Sequence, residues 1–217
     1  MGWRLPQHED NKIVIGFWIT VLCVGLAHSG IDPHTVAAWS FDDVKEGIVK
    51  DISGNGRDGV LKNEAQWSRK GKFGGAIEFD GVESNVEIPH NETLNLEAFS
   101  IEAWVNCTIG ANQAILHKQG LGVGTERNYI LNIRPEGFLR GSFSSEGVQH
   151  NFDSQIFLKS DIWYHVAATY DGKVGWIYVN GKLDGETELN LKPDFTDAPL
   201  LLGADSSERE TNCPLLL

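Results

Sequence analysis

Residues 163–181 read W-Y-H-V-A-A-T-Y-D-G-K-V-G-W-I-Y-V-N-G, and this stretch decides the fold. Two apolar-aromatic runs, 163–170 and 174–179, are separated by Asp171-Gly172-Lys173. Asn180-Gly181 follows at once, and residues 182–189 continue as another alternating run. Asp-Gly and Asn-Gly favour the positive φ that tight hairpin turns need if their twist is to match the flanking strands. The stretch therefore predicts three consecutive antiparallel strands. Strands this rich in aromatics need a second apolar layer to cover them, which predicts a sandwich.

Working outward, the same grammar recurs. Residues 36–41 predict a first strand, and Asp51–Gly59 is the densest turn signal in the chain. Strands 76–79 and 86–88 flank an Asp80-Gly81 turn, with Pro89 closing the pair. Residues 99–105 alternate with period two, so Phe99, Ile101, Ala103 and Val105 share one face and Glu102 and Trp104 the other. Further strands are predicted at 114–117, 129–133, 138–143, 148–152 and 200–203, and a long loop at 118–128. No window keeps a helical period. The fold class is all-β.

These residues carry a family resemblance. W-Y-H-V-A-A-T-Y-D-G followed by Y-V-N-G-K resembles the laminin-G-like jelly rolls of the concanavalin A-like lectin/glucanase superfamily. A-W-S-F-D-D (38–43), D-I-S-G-N-G-R-D-G (51–59), G-G-A-I-E-F-D-G (74–81), V-E-I-P (86–89) and F-S-I-E-A-W-V (99–105) match in the same order. The resemblance implies a two-sheet antiparallel jelly-roll sandwich over residues 36–203. It also implies a last strand with an Ile-Asp-Glu-Val-like segment, and residues 206–217, S-S-E-R-E-T-N-C-P-L-L-L, contain none. The expectation is a domain that lacks its C-terminal strand, with an apolar edge left unpaired.

Length and charge bound the rest. A chain of 217 residues with 41% apolar content suits one sandwich domain. Net charge is −12, and so acidic a surface repels phosphate backbones and anionic lipid, which argues against nucleic acid as a partner. Residues 13–27 form an apolar run preceded by Arg4 and Lys12 and followed by Ala27-His28-Ser29, the pattern of an export signal cut ahead of Gly30. An uncleaved membrane anchor is the alternative, although the run is shorter than the ~20 residues of a comfortable span. The expected organisation is a signal peptide over 1–29, a linker over 30–35 and the jelly roll over 36–217. That places the protein outside the cell or at its surface. Cys107 and Cys213 are the cysteines beyond this run, and their pairing stays open.

Asp51, Ser53 and Asn55 stand at alternate positions with Gly56 next, the first half of a calcium loop, with Asp58 close behind. Lys62 stands where the bidentate Glu of a helical calcium loop would be needed. The resemblance adds that domains of this kind often hold a structural Ca²⁺ at a sandwich edge. The competing reading is an Asx turn without metal. Glycosidic cleavage on this fold needs paired carboxylates on one strand, whereas Glu102 stands alone between Ser100 and Trp104. His165 belongs to the fold signature and is expected to be structural. The chain is not read as an enzyme. Trp104, Tyr129 and Trp176 are candidates for stacking a ligand on an open sheet face, while Trp39 and Trp163 are expected in the core. Asn91-Glu92-Thr93 and Asn106-Cys107-Thr108 are glycosylation sequons if the source is eukaryotic.

The function expected is an exported, non-catalytic recognition domain that binds glycan or extracellular protein, with calcium as a candidate support. A structural or adhesive module, or a piece of a larger surface protein, is the alternative. A glycoside hydrolase ranks last because the carboxylate strand is missing.

Overall fold

A computed structural model describes residues 12–14, 32–120, 126–204 and 215–217. The first half of the chain gives β1 (Lys12–Val14), β2 (Thr35–Ala38), β3 (Val44–Lys45), β4 (Ile48–Val49), β5 (Gly59–Lys62), β6 (Gln66–Gly71), β7 (Gly74–Phe79), β8 (Asn85–Ile88) and β9 (Phe99–Cys107). The second half gives β10 (Gln113–Gln119), β11 (Arg127–Ile133), β12 (Leu139–Ser145), β13 (Val148–Asp153), β14 (Tyr164–Tyr170), β15 (Val174–Val179), β16 (Lys182–Glu188), β17 (Leu200–Leu202) and β18 (Leu215–Leu216). One 3-10 turn, Glu92–Leu94, is the only helical element among the described residues.

The strands form two sheets. One runs β16-β15-β14-β9-β18-β7-β6, with β1 and β2 attached beside β9; the other runs β13-β12-β11-β10-β17-β8-β5-β4-β3. All pairings are antiparallel except those of β1 with β2 and β9. The β14–β15–β16 meander appears where its turn residues predict it. Asn180 and Gly181 take φ of 50° and 74°, and Asp171 Oδ1 accepts from the backbone amides of Lys173 and Val174 at 2.8 Å each.

Alternation sets what faces the core. On β9, Phe99, Ile101, Ala103, Val105 and Cys107 are buried and the residues between them are half-exposed. Phe99 meets Tyr129 and Tyr170 of two other strands, with ring centroids 5.5 and 5.9 Å away, and Phe143 stacks on Tyr170 at 4.6 Å. Trp39 is fully buried and donates its ring N–H to the Arg57 carbonyl at 2.8 Å; Trp163 is only half-buried. Phe152 is packed between glycines of both sheets. A Cβ on Gly141 beside it or on Gly175 of the opposite sheet would come within 2.3 and 2.6 Å of the ring.

Three expectations need correcting. The sheet edge expected to be bare is occupied in two pieces: β18 pairs with Glu78 and Phe79 on one side and with Asn106 and Cys107 on the other. Farther along β9, Lys12–Val14 pairs with Ser100–Glu102. A strand of two residues whose neighbours supply all the pairing needs no alternating pattern of its own, so L-L-L serves. Second, the sequence predicts no strand between the Asp51–Gly59 turn and residue 76, yet β5 and β6 lie there. Third, β11, expected as a strand that could offer Tyr129 to an open face, is buried along nearly its whole length, as is β10. The backbone of residues 94–96 and 194–198 bonds to their side chains from above. The expected export segment lies outside the described residues apart from Lys12–Val14, and Cys213 lies outside them too.

Candidate functional site

The outer face of the first sheet collects the side chains that β9, β14 and β15 turn away from the core. Register puts His165 beside Trp104, Ala167 between Glu102 and Tyr178, and Thr169 between Ser100 and Trp176. Glu186 of β16 lies directly opposite Trp176. Trp104 is braced on two sides: the Phe73 ring meets it edge-on at 5.4 Å and the His165 ring tilts against it at 5.5 Å. Lys72 Nζ stands 5.2 Å from its ring centre, a cation–π contact. His165 Nε2 is 3.3 Å from Glu102 Oε2, so the lone carboxylate of β9 and the signature histidine form a pair that sequence reading treated separately. Tyr178, farther along the face, has its phenol pushed up by burial, with the Glu186 charge adding to it.

Of the three stacking candidates, Trp104 and Trp176 are half-exposed on this face. Tyr129 is not. It is fully buried, packs on Phe99, and donates its hydroxyl to the Leu94 carbonyl at 2.9 Å. Burial alone pushes that phenol well above its usual range. A ring enclosed on all sides cannot stack a ligand. The sequence missed Phe73 and Lys72 because they sit in the exposed β6–β7 turn, where no period marks them.

The loop at Asp51–Gly59 closes on itself. Asp51 Oδ1 accepts from the amides of Ala38 at 3.0 Å and Ser53 at 2.8 Å; Oδ2 accepts from Ser53 Oγ at 2.8 Å and the Arg57 amide at 2.9 Å. Asn55 turns its amide nitrogen to the carbonyls of Thr35 and Val36. Asp58 accepts from the Asp51 amide and from Lys50, and the Lys50 bond is the main influence holding its carboxyl below the usual range. Where Ca²⁺ would need inward-facing oxygens, the loop has N–H and O–H groups already bound to them. The side chains do not fit a calcium shell, and they do fit the Asx-turn reading.

Elsewhere, at the margin of the second sheet, Lys118 is fully buried. Its Nζ donates to the carbonyls of Thr196 (2.9 Å) and Ala198 and lies 2.9 Å from His90 Nδ1. Burial pulls its pKa down to about 8 against the opposing charges of Asp197 and Glu92. His90, Glu92 and Asp197 bring one ligating atom each within 4.8 Å of one another.

A laminin G family model, described as the concanavalin A-like lectin/glucanases superfamily, matches residues 80–214. The chain belongs to this superfamily. The matched region carries β8 through β17 and all of Trp104, His165 and Trp176, and it leaves the Asp51–Asp58 turn outside. Comparison with curated proteins finds no match. Among solved structures, this superfamily member is similar to the binding domain of Paraclostridial Mosquitocidal Protein 1, at 19% identity and a TM-score of 0.63, covering 80% of this chain and 45% of that one. It is similar to the receptor binding domain of botulinum neurotoxin C/D mosaic serotype, at 14% identity and a TM-score of 0.60 over 79% and 44%. It also resembles a Trypanosoma rangeli sialidase in complex with sialic acid, at 17% identity and a TM-score of 0.58 over 83% and 29%. The chain spans less than half the length of each. At such identities the likeness is one of fold, and the fold hosts many functions. No helix among the described residues is long and apolar enough to cross a membrane.

Proposed function

We propose that this chain is an exported, non-catalytic recognition domain that binds a glycan or an extracellular protein through the outer face of its first sheet. The observation that carries the proposal is Trp104. Its ring is half-open to solvent yet held in one orientation by Phe73, His165 and Lys72. An aromatic fixed before a ligand arrives has little rotamer freedom left to lose on binding, which is why such rings anchor recognition surfaces. Trp176 and Tyr178 extend the face, and the first-named structures with this fold are themselves binding domains.

Glycan-array binding of the protein and of Trp104→Ala tests this directly. The expected result is binding by the wild type that falls at least about tenfold in the variant, as for loss of an anchoring aromatic, with an unchanged circular dichroism spectrum. Binding that survives both Trp104→Ala and Trp176→Ala removes this face from the reading. A protein that binds neither glycans nor extracellular proteins is a structural or adhesive module instead. Export is the second half of the proposal, supported by the apolar run at 13–27 and the small residues after it. N-terminal sequencing of the secreted product is expected to begin at Gly30, so that β1, which borders Ser100–Glu102 in the full chain, is removed with the signal and that length of the β9 edge is bared; intact Met1 in a membrane fraction overturns it.

A further inference from the structure

We propose that His90, Glu92 and Asp197 form a binding site for a divalent transition-metal ion of the zinc type. The ligating atoms come from two segments far apart in sequence, the turn after β8 and the loop before β17. His90 Nε2 lies 3.5 Å from Glu92 Oε1 and 3.9 Å from Asp197 Oδ1. Two zinc–ligand arms of about 2.0–2.2 Å at the tetrahedral angle span roughly 3.3–3.6 Å. The two spans from His90 Nε2 therefore need to close by only a few tenths of an ångström to grip one ion, and the two carboxylates lie within 4.8 Å of each other.

The histidine is the independent pointer. Its Nε2 is shielded from solvent and has no hydrogen-bond partner, although it faces two carboxylates. A shielded polar atom without a hydrogen bond costs free energy, and an ion seated between it and the two carboxylates would satisfy it. An imidazole among the donors selects zinc-like ions over calcium and magnesium, which prefer oxygen alone.

Behind the ring, Lys118 spends two hydrogens on the carbonyls of Thr196 and Ala198, and its remaining direction meets Nδ1. The ring held there turns its Nε2 toward the two carboxylates. The same lysine fixes the loop that carries Asp197, so imidazole and carboxylate are positioned by one group. Glu92 and Asp197 have side chains 84% and 95% exposed, which leaves the fourth position of the ion open to water or to a group on a bound partner. The site borders strands of the second sheet, whereas Trp104 and Trp176 stand on the first, and it is independent of the recognition reading.

Calorimetric titration of the full chain with zinc chloride decides it. The wild type is expected to take up one ion. His90→Gln and Asp197→Asn are each expected to weaken uptake by at least about tenfold, since even losing an outer partner of a ligand costs ~10–100-fold. Both variants should keep the wild-type circular dichroism spectrum and metal-free melting temperature. His165→Gln is the control and is expected to bind as the wild type does. Zinc should also raise the melting temperature of the wild type and leave that of His90→Gln where it was. No uptake by the wild type, undiminished uptake by His90→Gln, or loss of uptake in His165→Gln instead, each overturns the proposal.

Discussion

Asp51 shows how one side chain can hold a loop. Four hydrogens reach its two oxygens, from residues on β2, within the turn and at its exit. Bonds to a charged acceptor contribute about 1.5–3 kcal/mol each, and they do not add fully because they share one carboxylate. Asp51→Ala is therefore expected to lower unfolding stability by roughly 2–4 kcal/mol, read from urea denaturation. Millimolar calcium is expected to leave the melting curve of both proteins unmoved, and a calcium-dependent rise abolished by Asp51→Ala would show that the loop rearranges around a cation. The spacing of Asp51, Ser53 and Asn55 was legible in the sequence. What the side chains bind was not, because an Asx turn and the first half of a calcium loop use the same residue types. Likewise, alternation placed Trp104 on the face opposite Phe99 and Ile101, where it is half-exposed, but it could not show that both faces of β11 are covered, which is what buries Tyr129. His90 and Asp197 carry no mutual signal in the sequence at all. Only the folding of two distant loops onto Lys118 brings them together.

At the scale of the element, strands announced themselves where one face is apolar and the turns are Gly- or Asn-marked. β9, β14, β15 and β16 all fall within two residues of their expected bounds. β6 did not announce itself, since Gln66-Trp67-Ser68-Arg69-Lys70-Gly71 holds a single large apolar side chain and is mostly exposed. Its pairing with β7 is imposed by the hairpin rather than by its own pattern. Glycines separate two kinds of constraint within the central meander. Gly175 is buried mid-strand, and a Cβ there would stand 2.6 Å from Phe152, so Gly175→Ala is expected to cost about 1–3 kcal/mol through overpacking. Gly181 has open space around it and φ of +74°. Gly181→Ala is expected to cost about 1–2 kcal/mol from backbone strain alone. The two diverge under Phe152→Leu: the smaller side chain should relieve the first substitution and leave the second as it was, as a double-mutant cycle in urea would record.

For the whole molecule, the buried lysine writes itself into the pH dependence of stability. Lys118 holds its proton up to about pH 8 in the folded chain and to its ordinary value near 10.5 when unfolded. Between those two values the unfolded state binds the extra proton, so stability rises with pH through this window. Below it, the folded state carries the full penalty of a buried ammonium. Tyr129 works in the opposite sense, because its phenol stays protonated in the folded state while the unfolded one ionises near 10, so stability falls beyond that point. Metal-free protein unfolded in urea is thus expected to grow more stable from pH 8 towards 10 and then to weaken. Lys118→Met should flatten the rising limb and keep the fall. A rising limb unchanged in Lys118→Met would assign it to another group.

Phe152 gives the sandwich a clock. Its ring is closed in by a glycine backbone on its own sheet and another on the facing sheet, at separations where even a methyl would collide. A half-turn of that ring sweeps out more room than the gap supplies, so it can occur only when the two layers part for a moment. The rate of the flip is then the rate at which the interior breathes. It is visible as separate aromatic proton signals for the two edges of one ring, merging as temperature rises. Gly175 and Gly141, which look like concessions to tight packing, thereby set how often the inside of the protein opens.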